Sequence, residues 1–314
     1  MTDTTHGADP INAFEEAIKA AGLTPPKEIV ADGRLHRFAP NGAPKDDAGY
    51  YVLHIDGAVP AGVFGDWRSG IQHSWSAKGR REMTDEERRA YKRQVAEQRR
   101  QREEERRQRA AEARERAEAV WSQATKARSD HAYLQAKGVP APKSLRQIGN
   151  VEAAAALGYT PKVKGEQLVG DLLVVPVHDG KTKHGVQLID EGGRKHIVYG
   201  TAKDGCYCGV GSKPVDVVII VEGLATALSV REATGQPVVV AFDSGNLPKV
   251  AEVLRGKLPQ AQILLAGDHD ANGAGQRKSQ QAARAVGGQT MLPPQEGDDW
   301  NDVHQRDGLE AVRE

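Results

Sequence analysis

The sequence predicts an α/β fold, α+β over the whole chain: a small N-terminal antiparallel β module, a long charged helical linker, and a C-terminal domain on a mostly parallel sheet. Three observations lead there. Short β runs broken by Gly, Asp and Pro fill residues 29–76. The composition then turns abruptly to the helix formers Arg, Glu, Gln and Ala over about residues 84–125. Beyond about 126, apolar strand-like runs alternate with helical patterns through short links, as in an α/β sheet.

The N-terminal part opens with a helix. Ile11, Phe14, Ala17, Ile18 and Ala21 fall on one helical face, Gly22 ends it, and Pro25 with Pro26 forbids its resumption. Residues 34–38, 50–55 and 61–64 read as strands, with Asp32-Gly33, Asn41-Gly42 and Asp56-Gly57 as turns. The module closes on residues 65–70 and a second tryptophan, Trp75, after Trp67. In the charged segment, Thr84 and Glu87 have the spacing of a capping box, and Tyr91 and Val95 are almost the only large apolar residues between 88 and 116. A helix polar all round is a solvated spacer held by i,i+4 charge pairs; the alternative is that Arg99-Arg100 and Arg106-Arg107 touch nucleic-acid phosphates. Glu103, Glu104 and Glu105 interrupt any continuous basic face, which favours the spacer.

In the last block, residues 172–177 and 186–189 read as paired strands around Asp179-Gly180. Residues 217–221 are continuously apolar, as a strand buried on both faces requires. A helix over 225–234, a strand over 237–242, a helix over 247–258, a strand over 262–266, a helix over 276–286 and a short strand over 290–292 follow. The expected domains are therefore 1–80, 81–127, 128–214 and 215–314.

Composition sets outer bounds. Lys and Arg together number 43, as do Asp and Glu, so no global field draws the chain onto nucleic acid, though a local one remains open. Cys206 and Cys208, one residue apart, lack the Cys or His neighbours of a zinc ribbon, and a disulfide across such a pair is strained. No structural zinc is expected. No run approaches the ~18 apolar residues that span a bilayer, and residues 1–10 lack the basic and apolar regions of a signal peptide. No membrane partner is expected, and the chain reads as cytoplasmic.

The chemistry concentrates where an open α/β sheet binds its ligands, beyond the carboxyl ends of its strands. Glu222-Gly223 follows the run 217–221, Asp268-His269-Asp270 follows 262–266, and Asp298, Asp299, Asn301 and Asp302 follow the strand at 290–292. Each alone is a turn or a solvated loop; their succession in one α/β unit is what points to a site. Several carboxylates make an all-oxygen set suited to Mg²⁺ or Mn²⁺. Two such ions about 3.5–4 Å apart clamp the attacking and leaving oxygens of an in-line phosphoryl transfer. His269 is expected to point away, and the Gly-rich stretch 271–275 opens a helix whose N-terminus favours phosphate.

These residues resemble a known family. Val221-Glu-Gly-Leu-Ala-Thr-Ala-Leu228, Gly267-Asp-His-Asp-Ala-Asn-Gly-Ala-Gly275 and Leu292-Pro-Pro-Gln-Glu-Gly-Asp-Asp-Trp-Asn-Asp302 look like the three signatures of the TOPRIM domain, in the variant of DnaG-type primases and their phage and plasmid relatives. The resemblance covers about 215–314. It implies Glu222, Asp268 and Asp270 as the catalytic, metal-holding acids, assisted by Asp299 and by Asp302 or Asn301. Upstream, His131-Ala-Tyr-Leu-Gln-Ala-Lys-Gly138, Gly185-Val-Gln-Leu-Ile-Asp190 and Gly193-Arg-Lys-His-Ile-Val-Tyr-Gly200 resemble the N-terminal subdomain of the phage-type primase core. That implies Arg194, Lys195 and Lys203 as substrate-binding residues, with surface hairpin charges as the other reading.

Residues 29–76, with Phe64-Gly-Asp-Trp67, look like an N-terminal module of mobile-element primases. There Arg34, Arg37, Trp67, Arg68 and Trp75 are expected to meet single-stranded bases, or the tryptophans to fill a small core. The implied function is a DNA primase synthesising short RNA primers on single-stranded DNA by metal-dependent nucleotidyl transfer, in plasmid or phage replication within a bacterial host. Its partners would be the template, ribonucleoside triphosphates and a replicative helicase. Two departures stand out: the zinc-ribbon ligands are missing, and no GxxxxGK[ST] motor motif follows, so the chain reads as a stand-alone primase or a fragment of a larger one. The rivals are a TOPRIM nuclease using the same acids and a non-catalytic DNA-binding replication adaptor.

Overall fold

The computed structural model describes residues 9–44, 46–57, 59–78, 84–213, 215–271 and 273–314. The chain divides into two compact units, Met1–Glu104 and Glu105–Glu314.

In the first unit, helix α1 (Pro10–Ala20) starts on Asp9, whose Oδ1 accepts the backbone N–H of Ile11 at 3.1 Å, with Pro10 preset for the first turn. Among the described residues this unit forms an antiparallel meander of β1 (His36–Phe38), β2 (Gly49–His54), β3 (Ala61–Asp66) and β4 (Ile71–Ser76), in that order. Phe14 and Ile18 of α1 meet Phe38, Tyr51, Leu53 and Phe64 in its core. The ring of Phe14 stands edge-on to Phe64 (5.6 Å, 85°) and Trp75 (5.3 Å, 71°). The sequence reading did not mark β4. Its signal was the preceding turn, where Asp66 Oδ1 accepts the N–H of Arg68 at 2.9 Å and Oδ2 accepts the Ser69 hydroxyl at 2.8 Å.

Helix α2 (Asp85–Gln123) runs 39 residues from the first unit into the second. The expected capping box involves the side chain of Glu87, which lies outside the described residues, as does the expected boundary at 80/81.

Among the described residues the second unit contains two five-stranded sheets and a separate two-stranded hairpin. The segment of the first sheet runs through β5 (Thr125–Lys126), α3 (Ala132–Ala136), β6 (Arg146–Gly149), α4 (Asn150–Leu157), the separate hairpin β7 (Lys162–Val163) and β8 (Glu166–Gln167), β9 (Asp171–His178), β10 (Lys183–Ile189) and β11 (Lys195–Ile197). Its strand order is β11-β10-β9-β6-β5, antiparallel throughout. The second sheet comes from β12 (Cys208–Val210), β13 (Val217–Val221), α5 (Leu224–Thr234), β14 (Val238–Val240), α6 (Leu247–Lys257), β15 (Gln262–Ala266), α7 (Ala274–Val286) and β16 (Gln289–Met291), followed by α8 (Trp300–Asp307) and α9 (Leu309–Arg313). Its order is β12-β14-β13-β15-β16; the β13–β14, β13–β15 and β15–β16 pairs are parallel, and β12 is antiparallel to β14.

The period-2 rule for strands decides how these sheets pack. In β9, Leu173, Val175 and Val177 face a core shared with Val221, Leu224 and Ala227, whereas Leu172 and Val174 face a second core. In β13, Ile219 and Val221 join the shared core while Val218 and Ile220 pack with Val250, Leu254, Ala282 and Val286 of α6 and α7. The continuous apolar run 217–221 is thus a strand covered on both faces.

The C-terminal part of α2 is not the solvated spacer its composition suggested. Ala113, Ala117 and Val120 are fully buried, in the same core as Leu172, Val174, Val186 and Leu188. Their i, i+4, i+7 spacing was invisible to a reading that counted large apolar residues. For the same reason the units divide inside the helix, at 104/105, where the sequence reading had set boundaries at 80/81 and 127/128. Burying a charge on this stripe is expected to be costly: Ala117→Glu should lose about 3 kcal/mol or more in urea unfolding of the whole chain. Ala111→Glu on the exposed side should stay within about 0.5 kcal/mol of the wild type.

Candidate active site

Because the β13–β14, β13–β15 and β15–β16 pairs are parallel, these four strands deliver their carboxyl ends to one edge of the sheet. Glu222 follows β13 directly, Asp268 and Asp270 follow β15, and Asp299 caps α8 after β16. The fourth end was missed: β14 ends at Val240, and Asp243 follows three residues on. The rule that found the other acids could have found this one, an acid just past a strand of three valines. Phe242 adopts φ of 74°, a left-handed conformation uncommon for a bulky residue, and so turns the chain sharply before Asp243. Asn246 is buried and fixes this loop: its Oδ1 accepts the N–H of Gly205 at 2.8 Å, and its Nδ2 donates to the carbonyls of Ala241 and Cys206, both at 2.9 Å.

The acids repel one another. Burial, then the charges of Glu222, Asp299 and Asp270, push the Asp268 carboxyl up to about 7, against the partial offset of Lys195. Burial and the charges of Asp243 and Asp270 likewise raise Glu222, opposed by Lys195 and a backbone hydrogen bond from Ser244. Asp268 Oδ1 is buried without a hydrogen-bond partner. Asp270 is anchored by its Oδ2, which accepts the N–H of Gly275 at 2.9 Å. Only glycine fits at 275, since a Cβ there would lie 2.9 Å from both Asp268 O and Asp270 Oδ2.

Among the described residues no three His, Cys, Asp or Glu side chains close into a ready metal shell. The donor chemistry nevertheless fits a hard divalent cation, because an orphaned buried carboxylate oxygen stands among carboxylates whose charges raise Asp268 and Glu222.

The remaining expected residues divide into engaged and available ones. Asp299 and Asp302 form a reciprocal capping box: Asp299 Oδ1 accepts the N–H groups of Asn301 (2.6 Å) and Asp302 (3.0 Å), and Asp302 Oδ2 accepts that of Asp299 (2.9 Å). Asn301 is fully buried and donates to Lys137 O (2.8 Å) and Ser229 Oγ (2.9 Å). His269 meets the carbonyl of Pro293 at 2.8 Å through Nδ1. Lys195 is the cation that acts on Glu222 and Asp268. Lys203 pairs with Asp243, and Arg194 pairs with Asp190 (2.8 Å) and Glu166 (2.9 Å). His131 caps α3, its Nδ1 accepting the N–H of Tyr133 at 3.2 Å.

In the first unit, Trp67 is exposed, stacks on Tyr50 (4.4 Å, 29°) and lies 5.6 Å from the Arg37 guanidinium. Arg68 is held by Asp46 through two hydrogen bonds, Arg34 is exposed, and Trp75 packs on Phe14.

An acid-edged parallel sheet of this order invites comparison with known proteins. Residues 217–310 match the Toprim domain. Over the wider chain, an alignment 316 positions long gives 32% identity with a DNA primase TraC of Escherichia coli, covering 93% of this chain and 27% of that protein. A second Escherichia coli DNA primase TraC aligns at 30% identity over 302 residues, covering 90% of this chain and 19% of the relative. The chain thus spans about a quarter and a fifth of the lengths of these curated relatives. Among solved structures, the primase fragment of the bacteriophage T7 primase-helicase protein aligns over 58% of this chain and 72% of its own, at 20% identity and a TM-score of 0.41. The zinc-binding and RNA polymerase domains of the Aquifex aeolicus primase align over 98% and 84%, at 14% identity and a TM-score of 0.41.

The charge crowding at this sheet edge has a measurable sign. Asp268 keeps its proton to higher pH in the folded chain than in the unfolded one, so stability falls as pH rises from about 4 to about 7 and levels off above. In metal-free buffer, Asp268→Asn should therefore raise the melting temperature more at pH 8 than at pH 5. Equal gains at both pH values would show that the carboxyl is not so raised.

Proposed function

We propose that this chain is a DNA primase of plasmid or phage replication, making short RNA primers on single-stranded DNA by metal-dependent nucleotidyl transfer. The observation that carries the reading is the set of mutually repelling carboxylates, with its buried unpartnered oxygen, inside the segment that matches the Toprim domain. The two TraC relatives, named as DNA primases, support it. In this reading residues 215–314 are catalytic, 128–214 form the N-terminal part of the primase core, 81–127 the helical linker and 1–80 a template-binding module.

Glu222, Asp268 and Asp270 would hold Mg²⁺ or Mn²⁺, with Asp299 and Asp302 contributing. When bound, the metal supplies a Lewis acid for the primer 3′-hydroxyl and neutralises charge on the triphosphate. The chain itself does the rest. Lys195, already facing Glu222 and Asp268, is the residue best placed to meet a triphosphate. Lys203 would have to exchange Asp243 for substrate, and Arg194 its two carboxylates. Arg34, Arg37, Trp67, Arg68 and Trp75 would serve the template, of which Trp67 offers the most exposed ring. Single-stranded DNA, ribonucleoside triphosphates and a replicative helicase are the partners this reading requires, and the bacterial cytoplasm its place of action. Among the described residues no helix is long and apolar enough to cross a membrane.

A priming assay with labelled nucleotides, Mg²⁺ or Mn²⁺ and phage single-stranded DNA tests the reading. The wild type should yield short RNA, reduced about 100-fold or more by Asp268→Ala and about 10-fold by Lys195→Ala. Shortened template without RNA would instead identify a nuclease. DNA binding with neither product would identify an adaptor.

A further inference from the structure

The surface beside β11 carries an aromatic platform that the acidic site does not use. Tyr199 is 59% exposed and leans on Tyr159, with ring centroids 5.1 Å apart at 33° and His196 edge-on at 4.8 Å. Tyr159 is itself held in place. Its hydroxyl donates to His196 Nε2 at 3.0 Å and accepts the backbone N–H of Tyr199 at 3.2 Å. The other nitrogen of His196 donates to the carbonyl of Lys162 at 3.2 Å, which ties the β7–β8 hairpin to the same cluster. The cluster is anchored on one side, and Tyr199 is open to solvent over more than half its surface.

A lone exposed tyrosine would need no explanation. This one is bordered by cations. The Arg116 guanidinium stands 5.9 Å over the Tyr159 ring, and Lys162 and Lys164 on the hairpin are exposed. The loop that carries Tyr199 is pressed against α2: at Gly200, with φ of 87°, a Cβ would lie 2.6 Å from the carbonyl oxygen of Arg109. Helix geometry adds the decisive point. At about 100° per residue, Arg106, Arg109 and Arg116 project within about 60° of Ala113, on the face that Ala113, Ala117 and Val120 bury against the sheet. Glu112, Glu115 and Glu118 lie about 100° or more from that direction. The buried stripe of α2 therefore continues toward its N-terminal side as arginine, at the loop that presents Tyr199. The pairs Arg109–Glu105 and Arg116–Glu112, each at 3.5 Å, are solvent-facing i,i+4 contacts that a phosphate can displace.

The platform lies on the α2 side of its sheet. Side chains alternate at β11, Ile197 packing on the core shared with the second sheet and Val198 in the core of Ala113, Ala117 and Val120, and Tyr199 groups with His196 and Tyr159 on that second side.

We propose that Tyr199 with Arg106, Arg109 and Arg116 binds single-stranded nucleic acid, one base stacking on the tyrosine and the flanking phosphates meeting the arginines. Stacking on an aromatic ring within a basic track is tolerant of sequence, as a strand passing through must be treated. The binding does not rest on the primase reading. A protein partner is the weaker fit, because cations and not aliphatic side chains border the ring.

The test is fluorescence anisotropy of the full chain with a labelled single-stranded oligonucleotide, read beside the priming assay. Tyr199→Ala should weaken binding about tenfold and Tyr199→Trp by no more than about twofold, the loss expected of one stacked base. Arg109→Gln should lower the slope of log affinity against log salt by about 0.7, one phosphate contact on a single strand. Tyr199 is exposed, so the melting temperature of its variants should match the wild type, and Arg109→Gln gives an independent reading. Wild-type affinity and salt slope in both Tyr199→Ala and Arg109→Gln would overturn the platform even if the wild type makes primers. Weakened binding in a protein that makes no primer on any template would keep the platform and remove the primase reading.

Discussion

Carboxylates crowded at one half-buried edge of the parallel strands are the constraint around which the second unit is arranged. Parallel strands need crossovers, and the helices α5, α6 and α7 that make them cover both faces with apolar side chains. Polar chemistry is left only the ends of the strands, and four carboxyl ends converge on a single edge. Placing Glu222, Asp243, Asp268, Asp270 and Asp299 there is electrostatically unfavourable, as the raised Glu222 and Asp268 show. A fold that sets them together without the charge to balance them is poised for a cation. Lys195 and Lys203 offset part of the repulsion, and each is also a group that a phosphate would recognise.

Holding such a cluster takes neutral hydrogen bonds away from the acids themselves. Asn246, buried with both ends of its amide engaged, binds the loop after β14 to the segment around residues 203–206. The capping box of α8 fixes Asp299, and Asn301 ties the same helix to Lys137 and Ser229. Residues that look from the sequence like further ligands are thus partly structural pins. The motif around His131 acts in the same way, as a helix cap whose neighbours fill the core.

Helix α2 shows one face changing its task along its length. Where it lies on the first sheet of the second unit, the stripe is Ala113, Ala117 and Val120; further toward its N-terminus the same angular positions are arginines. Small residues allow the helix backbone close approach to the sheet, and the arginines flank that contact.

Much of the fold was legible in the residues themselves. The apolar run 217–221, the alternation of strand and helix after it, and the acids following residues 221 and 266 all follow from local pattern, because strand period, helix period and turn chemistry are properties of neighbouring residues. The buried stripe of α2 and the strand β4 were less legible: alanines bury little area, and β4 alternates weakly, its turn at residues 66–70 being the clearer mark. What only the tertiary structure decided is which side chains share one electrostatic environment. Asp243 joins Glu222, Arg194 is consumed by Asp190 and Glu166, and Tyr159, on which Tyr199 leans, meets Arg116 of a helix far away in sequence. Those are through-space relations between distant segments, set by strand order and by the packing of one sheet against α2, and no periodicity along the chain encodes them.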